Sequence, residues 1–183
     1  MKPENDLSTL SLAILGLISH RPLTGYDLRK AFATTPMGHF SSSPGAIYPA
    51  LKRIEEAGWI RSVTTDGRTG RQRVAYEITT RGLKLFKEHL SRPVTQEDVT
   101  WRLDQLMLRF AFMDGVIGRE RIVQFLQEFA AQLDTHAAGL RRYVDSVEGI
   151  LPPCGRLAME SGIADYEMHA QWARRAIQEL QSR

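Results

Sequence analysis

The chain has 183 residues, 43% hydrophobic and 25% charged, the composition of a globular protein with a sizeable core. Its one cysteine, Cys154, excludes a disulfide framework, and its longest oily run, Leu10 to Ile18, is interrupted by Ser11 and Gly16 and falls far short of the ~20 residues of a membrane span. Residues 1–90 hold 13 Lys and Arg against 8 Asp and Glu, the remainder 11 against 13, so the first half is expected to meet a polyanion and the second half protein.

In chain order, Leu7 to His20 is apolar on nearly every side and predicts a buried first helix. Glu4 and Asp6 ahead of it are the wrong flank for a secretory signal, and a cytoplasmic location is expected. "HRPLTG" breaks the helix, and Thr24 with Asp27 three residues on reads as a capping box opening a second helix through Phe32. After the loop "ATTPMGHFSSSPG", a third helix is expected from about residue 44 to residue 57. Its core stripe is Ile47, Ala50, Leu51 and Ile54; the opposite side carries Gly45, Tyr48, Pro49, Lys52 and Glu56. "WIRSVTT" and "RVAYEITT" read as two strands joined by "DGRTGRQ", and a fourth helix follows from Arg81 to about Leu90.

The second half shows no strand signal. A helix from Thr95 carries Val99, Leu103, Leu106, Phe110 and Met113 on one face and Trp101, Leu108 and Phe112 on another. A long helix over about residues 119–150 places Leu126, Leu133, Leu140 and Val147 at every seventh position, interleaved with Ile122, Phe129, His136, Tyr143 and Ile150. A last helix repeats the pattern with Met159, Ile163, Tyr166, Ala170, Ala173, Ile177 and Leu180, so the two are expected to fold back as an antiparallel hairpin through "PPCG". The extra apolar face of the fifth helix then lacks a cover, which a homodimer would supply. His136, at a core position, is expected to hydrogen-bond across the seam.

The predicted fold is mainly α (α+β). It comprises a winged helix-turn-helix with a two-stranded wing at residues 1–91, and an all-α dimerisation and effector domain at residues 92–183. Ser43, Gly45, Tyr48 and Lys52 stand where a recognition helix meets base edges, and Arg68, Arg71 and Arg73 sit at or just behind the hairpin tip, suited to phosphate or a narrow minor groove. "LSLAILGLISHRPLTGYDLRKAF", "SPGAIYPALKRIEEAGWI" and "GRQRVAYEITTRG" together resemble the PadR family of bacterial transcriptional regulators over about residues 7–90. The second half resembles the family's longer subgroup. The resemblance implies a homodimer holding two recognition helices in successive major grooves of a pseudo-palindromic operator. It also implies a repressor relieved by a small aromatic effector. Tyr26 matches the family's "GY" position, and beside Leu23 and Leu28 it is expected to pack between helices rather than contact DNA.

The dimer seam is expected at Leu126, Leu133, Leu140, Val147, Ile163, Tyr166 and Ile177. Trp101, Phe112 and Trp172, with Met113 and Met168 beside them, are expected either to wall an effector pocket or to pad the dimer interface. The alternative to a DNA-binding regulator is a helical protein-interaction adaptor, which predicts no salt-dependent association with duplex DNA. No enzyme, metal or cofactor is expected. The histidines His20, His39, His89, His136 and His169 form no i, i+3 or i, i+4 pair, no HExxH, CxxC, P-loop or GxSxG string occurs, and Ser41 to Ser43 read as helix capping rather than a nucleophile.

Overall fold

Ser8 starts the first helix, its hydroxyl accepting from the Ser11 amide at 3.2 Å. The computed structural model describes residues 7–35, 44–66 and 72–182, and the chain divides into two compact units, Met1–Leu90 and Ser91–Arg183. The first helix, α1, spans Thr9–His20 and packs against three other elements of its unit, so Leu12, Ala13, Ile14, Leu15 and Ile18 are all buried. All-round burial is why its sequence shows no polar face.

"HRPLTG", expected only to break the helix, contains a short strand, β1 (Leu23–Thr24). With β2 (Ile60–Asp66) and β3 (Gln72–Ile78) it forms an antiparallel sheet in the order β1-β3-β2, so β2 and β3 make the expected two-stranded wing and β1 adds a third strand to it. Two residues cannot display a period; the pairing Leu23↔Tyr76 and Thr24↔Ala75 is supplied by β3. Across β2 and β3 the register runs from Ile60↔Ile78 to Asp66↔Gln72, and Arg61 Nε donates to its cross-strand partner Glu77 at 2.5 Å.

The capping box expected at Thr24 is present at the start of α2 (Gly25–Thr34): the Asp27 amide donates to Thr24 Oγ1 at 3.1 Å and the Thr24 amide to Asp27 Oδ2 at 3.1 Å. The third helix begins later than its pattern suggested. Pro44–Ala46 is a 3-10 turn, and α3 runs Ile47–Glu56 with Pro49 in its first turn, where a missing N–H costs nothing. Ile47, Ala50, Leu51 and Ile54 are buried, as their spacing predicts. Gly58, at φ +72°, ends the helix: its amide reaches the Glu55 carbonyl at 2.8 Å and the Trp59 amide the Ile54 carbonyl at 2.9 Å, the paired bonds of a Schellman cap.

The fourth helix, α4 (Thr80–Leu90), is seated on that cap. Thr79 Oγ1 donates to the Gly58 carbonyl at 2.7 Å and accepts from the Gly82 amide at 3.0 Å.

In the second unit the single helix expected from Thr95 is two, α5 (Gln96–Trp101) and α6 (Leu103–Ala111), broken at Arg102 with φ −138° and ψ 32°. Val99, Leu106, Leu108, Phe112 and Met113 are all buried, although in one straight helix they would spread over two faces; the break re-aims the second segment. Those residues are therefore covered within one chain, and their second face does not require a partner chain as expected; of that face only Trp101 is open, at 79% exposure.

The long helices α7 (Arg119–Ser146) and α8 (Pro153–Ser182) pack together. Arg141 pairs with Glu167 and Arg174 with Asp134, so seven residues back along one helix is seven forward along the other, and the hairpin is antiparallel as expected. Its turn lies before "PPCG" rather than in it. α7 stops four residues short of Ile150, Gly149 adopts φ +79°, and Pro153 opens α8, where its fixed φ fits the first helical position.

This packing changes the meaning of the heptads. Leu126, Leu133 and Ile163, expected at a seam between subunits, are buried inside the single chain. Leu140, Tyr166 and Ile177 are half-buried, and Val147, expected on the helix, is its C-cap. A seven-residue repeat demands a covering helix, and here α8 provides it. Toward the turn the exposed large apolar side chains are Tyr143, Ile150 and Leu157.

A methyl group at Gly82 would lie 1.9 Å from the Trp59 carbonyl oxygen, a clash that only backbone movement relieves. Gly82→Ala is expected to destabilise the protein by about 3 kcal/mol in urea denaturation. A loss below about 0.5 kcal/mol would mean that α4 is not seated on Trp59.

Candidate functional site

In the first unit, Thr24, Gly25, Tyr26, Tyr48, Arg73, Val74 and Tyr76 line an open cleft of about 550 Å³. Four elements meet there because β1 pairs with β3 and runs directly into α2, while α3 turns its polar side to the same place. The burial of Ile47, Ala50, Leu51 and Ile54 leaves Tyr48 and Lys52 outward, Tyr48 half exposed and Lys52 3.8 Å from Glu56. On β3, alternation buries Ala75 and puts Val74 and Tyr76 on the other face.

Of the residues expected to face DNA, the structure brings Tyr48 and Arg73 together in this cleft, with Lys52 one turn further along α3. Gly45 lies in the 3-10 turn ahead of the helix. Ser43, Arg68 and Arg71 fall outside the described residues.

Tyr26 corrects its expectation: it is 59% exposed, with the Arg29 guanidinium 5.6 Å from its ring centroid. Leu23 and Leu28 are indeed buried, but Leu28 stands about 200° around the helix from Tyr26 and says nothing about its side. The sequence reading also missed Tyr76 and Val74, which the period of β3 could have indicated.

The cleft has its own electrostatics. Burial pushes the Tyr76 phenol above its ordinary 10.0, and Glu55 and Tyr48 add to this. The Thr24 hydroxyl holds the Asp27 carboxyl below its ordinary 3.8 against the opposing effect of burial; the Thr24 amide, Arg21 and Arg73 assist. The carboxylate that caps α2 is thus within electrostatic reach of Arg73.

The three expected effector residues have different fates. Trp172 meets Phe110 and Phe129 edge-on at 5.3 and 6.4 Å, Phe112 is buried at the end of α6, and Trp101 points outward. Met113 is buried and Met168 exposed. His136 hydrogen-bonds across elements, its Nδ1 3.4 Å from Thr100 Oγ1 and its ring 4.6 Å from that of Tyr166. Arg109 lies buried with its guanidinium 5.1 Å from the Phe125 ring and donates to the Arg92 carbonyl; burial lowers its pKa to about 10, so it stays charged at neutral pH. Arg121 donates to the Ser91 carbonyl at 2.6 Å and to Glu128 at 3.0 Å, and Glu128 accepts from the Val94 amide at 3.0 Å.

Among the described residues no helix is long and apolar enough to cross a membrane, and no three His, Cys, Asp or Glu side chains are grouped to hold a metal.

Residues 14–88 match the Transcriptional regulator PadR-like family, and residues 104–181 match Virulence activator alpha C-term. The chain is 27% identical to the negative transcriptional regulator PadR of Bacillus subtilis (strain 168) over 145 residues, 78% of this chain and 79% of that protein. It is 32% identical to the transcriptional regulator YqjI of Escherichia coli (strain K12) over 80 residues, 44% of this chain and 37% of that protein. Among solved structures, the PadR-like transcriptional regulator BC1756 from Bacillus cereus is similar with a TM-score of 0.44 at 22% identity, covering 97% of this chain and 99% of that one. Bacillus subtilis PadR in complex with operator DNA gives 0.44 at 20% identity, covering 95% and 99%, and in complex with p-coumaric acid 0.41 at 19%, covering 99% of each.

Asp27 ties the site to pH. A carboxyl held below 3.8 stabilises the fold above that pH, and the contribution is lost as pH falls through the still lower folded value. The stability gap between the natural protein and Asp27→Asn is therefore expected to be full near neutrality and to close on acidification below 3.8, followed by thermal denaturation across pH. A gap that widens on acidification would reverse the assignment.

Proposed function

Because the chain belongs to the PadR-like family of transcriptional regulators, we propose that it is a homodimeric, sequence-specific DNA-binding repressor whose first unit reads a pseudo-palindromic operator. The observation that carries this reading is the convergence of Tyr48 on α3 and Arg73 on β3 at one open cleft. An aromatic side chain on a helix whose other face is core, next to a guanidinium, suits base edges and phosphate together. In this reading Tyr48, Gly45, Ser43 and Lys52 meet the major groove, Tyr26 joins them from α2, and Arg68, Arg71 and Arg73 hold phosphate. Repression follows the description of the Bacillus subtilis relative as a negative regulator.

The same reading makes the protein a binder without a reaction of its own, working in the cytoplasm. It assigns residues 1–91 to DNA and residues 92–183 to dimerisation and the effector. A small aromatic molecule relieves repression; p-coumaric acid, the ligand in one Bacillus subtilis PadR structure, is of that class. Trp172, with Phe110 and Phe129, is the aromatic surface such a molecule would contest. Contact between subunits draws on side chains that the single chain leaves open, Tyr143, Ile150 and Leu157, flanked by Leu140 and Val147.

Arg73→Ala is expected to weaken operator and scrambled duplex alike and to flatten the slope of log K on log salt by about 0.9 for each phosphate no longer neutralised. Tyr48→Ala is expected to lower the operator-to-scrambled ratio by roughly tenfold. Titration of both variants against both duplexes decides: an unchanged ratio for Tyr48→Ala removes it from the reading surface, and salt-insensitive binding favours the adaptor.

For assembly, Ile150→Glu combined with Leu157→Glu is expected to shift sedimentation from dimer to monomer while leaving the melting temperature of the monomer intact. Unaltered dimers would move the interface elsewhere.

A further inference from the structure

We infer that Gly25 is a positioning residue for sequence reading: by presenting no side chain at the first residue of α2, it seats the Tyr48 ring of the reading helix. This deepens the proposal above and rests on its assignment of Tyr48. A Cβ at Gly25 would stand 2.7 Å from Tyr48 Cε1 and 3.2 Å from both Cζ and Oη, so the outer half of the ring lies directly on the glycine. Real Cβ atoms do not approach aromatic carbons that closely.

The backbone gives no other reason for glycine here. The positive-φ glycines among the described residues are Gly58, Gly115 and Gly149; Gly25 is not one of them, and alanine would suit the helix better by propensity. What Gly25 supplies is space, and the Tyr48 ring occupies it. The close approach lies at the far end of a side chain that can swing, so an added methyl turns the ring aside instead of breaking the fold.

The seat itself is held from two sides. Thr24 is tied into the sheet opposite Ala75 and, as N-cap, orients the first turn of α2; the buried stripe of α3 fixes the Cα of Tyr48. Gly25 is buried between them, while the ring's other side faces the cleft with Tyr26, Arg73 and Tyr76. One wall of the ring is thereby set by α2, and the atoms left to meet a base edge are those facing outward.

The test is a double-variant cycle on the full chain with Gly25→Ala, Tyr48→Ala and both together, each titrated against operator and scrambled duplex and each melted. Gly25→Ala is expected to lower the operator-to-scrambled ratio by roughly the same order of magnitude as Tyr48→Ala, with scrambled binding unchanged. In the Tyr48→Ala background it is expected to have no further effect. Equal losses from Gly25→Ala in both backgrounds, or a normal ratio in Gly25→Ala, overturn the inference while leaving Tyr48 as a reader. A normal ratio in Tyr48→Ala overturns both. Should Gly25→Ala alone melt too low to titrate, recovery of the melting temperature in the double variant supports the seat, and failure to recover refutes it.

Discussion

Thr24 belongs to two structures at once, and the cleft exists because of it. Its backbone is the second residue of β1, opposite Ala75, and its hydroxyl and amide make the capping box of α2. A strand residue in the extended region is already in the conformation an N-cap requires, so the chain passes from sheet to helix without a loop. The consequence is geometric. The first turn of α2 is pinned to β3, and everything that depends on where that turn lies inherits the constraint: the close approach of Gly25 to Tyr48, the outward placement of Tyr26, and the charge of Asp27 beside Arg73. A flexible connection at the same point would leave α2 and α3 to find each other by side-chain packing alone.

What could be read without coordinates followed from how local each feature is. The stripe Ile47, Ala50, Leu51, Ile54 and the box Thr24–Asp27 are set within one or two helical turns, and both are present. Two residues of the candidate site were legible: Tyr48 because a core stripe fixes the face opposite to it, and Arg73 because it stands just behind an arginine-bearing hairpin tip. Tyr26 was not, because burial of its neighbours constrains only their own side of α2. The strand β1 and the break at Arg102 were invisible for a related reason: each is imposed by something distant in sequence, β3 in one case and the packing of two apolar faces in the other.

The heptads teach a different lesson. Their register holds at Leu126 and Leu133 and fails toward Val147 and Ile150, where α7 has ended; a periodic stripe specifies that a helix is covered, not by whose helix. Leu126 and Leu133 are closed off by the hairpin of α7 and α8, whose ion pairs Arg141–Glu167 and Asp134–Arg174 fix its register. In the proposed homodimer, surface for a second chain would come from residues the hairpin leaves open. Those cluster near its turn, where α7 has ended and Ile150 stands outside any helix.

The same unit shows what a buried charge can be used for. Arg109 is costly to bury, and burial lowers its pKa accordingly, yet its guanidinium is placed between the Phe125 ring and the Arg92 carbonyl. Arg121 and Glu128 add bonds to Ser91 and Val94, so the segment that follows α4 is gripped by side chains of α6 and α7. Backbone carbonyls and an amide in an irregular segment would otherwise need water or each other. By answering them with Arg109, which stands on the Phe125 ring, and with Arg121 and Glu128, the fold makes this stretch part of the helical unit.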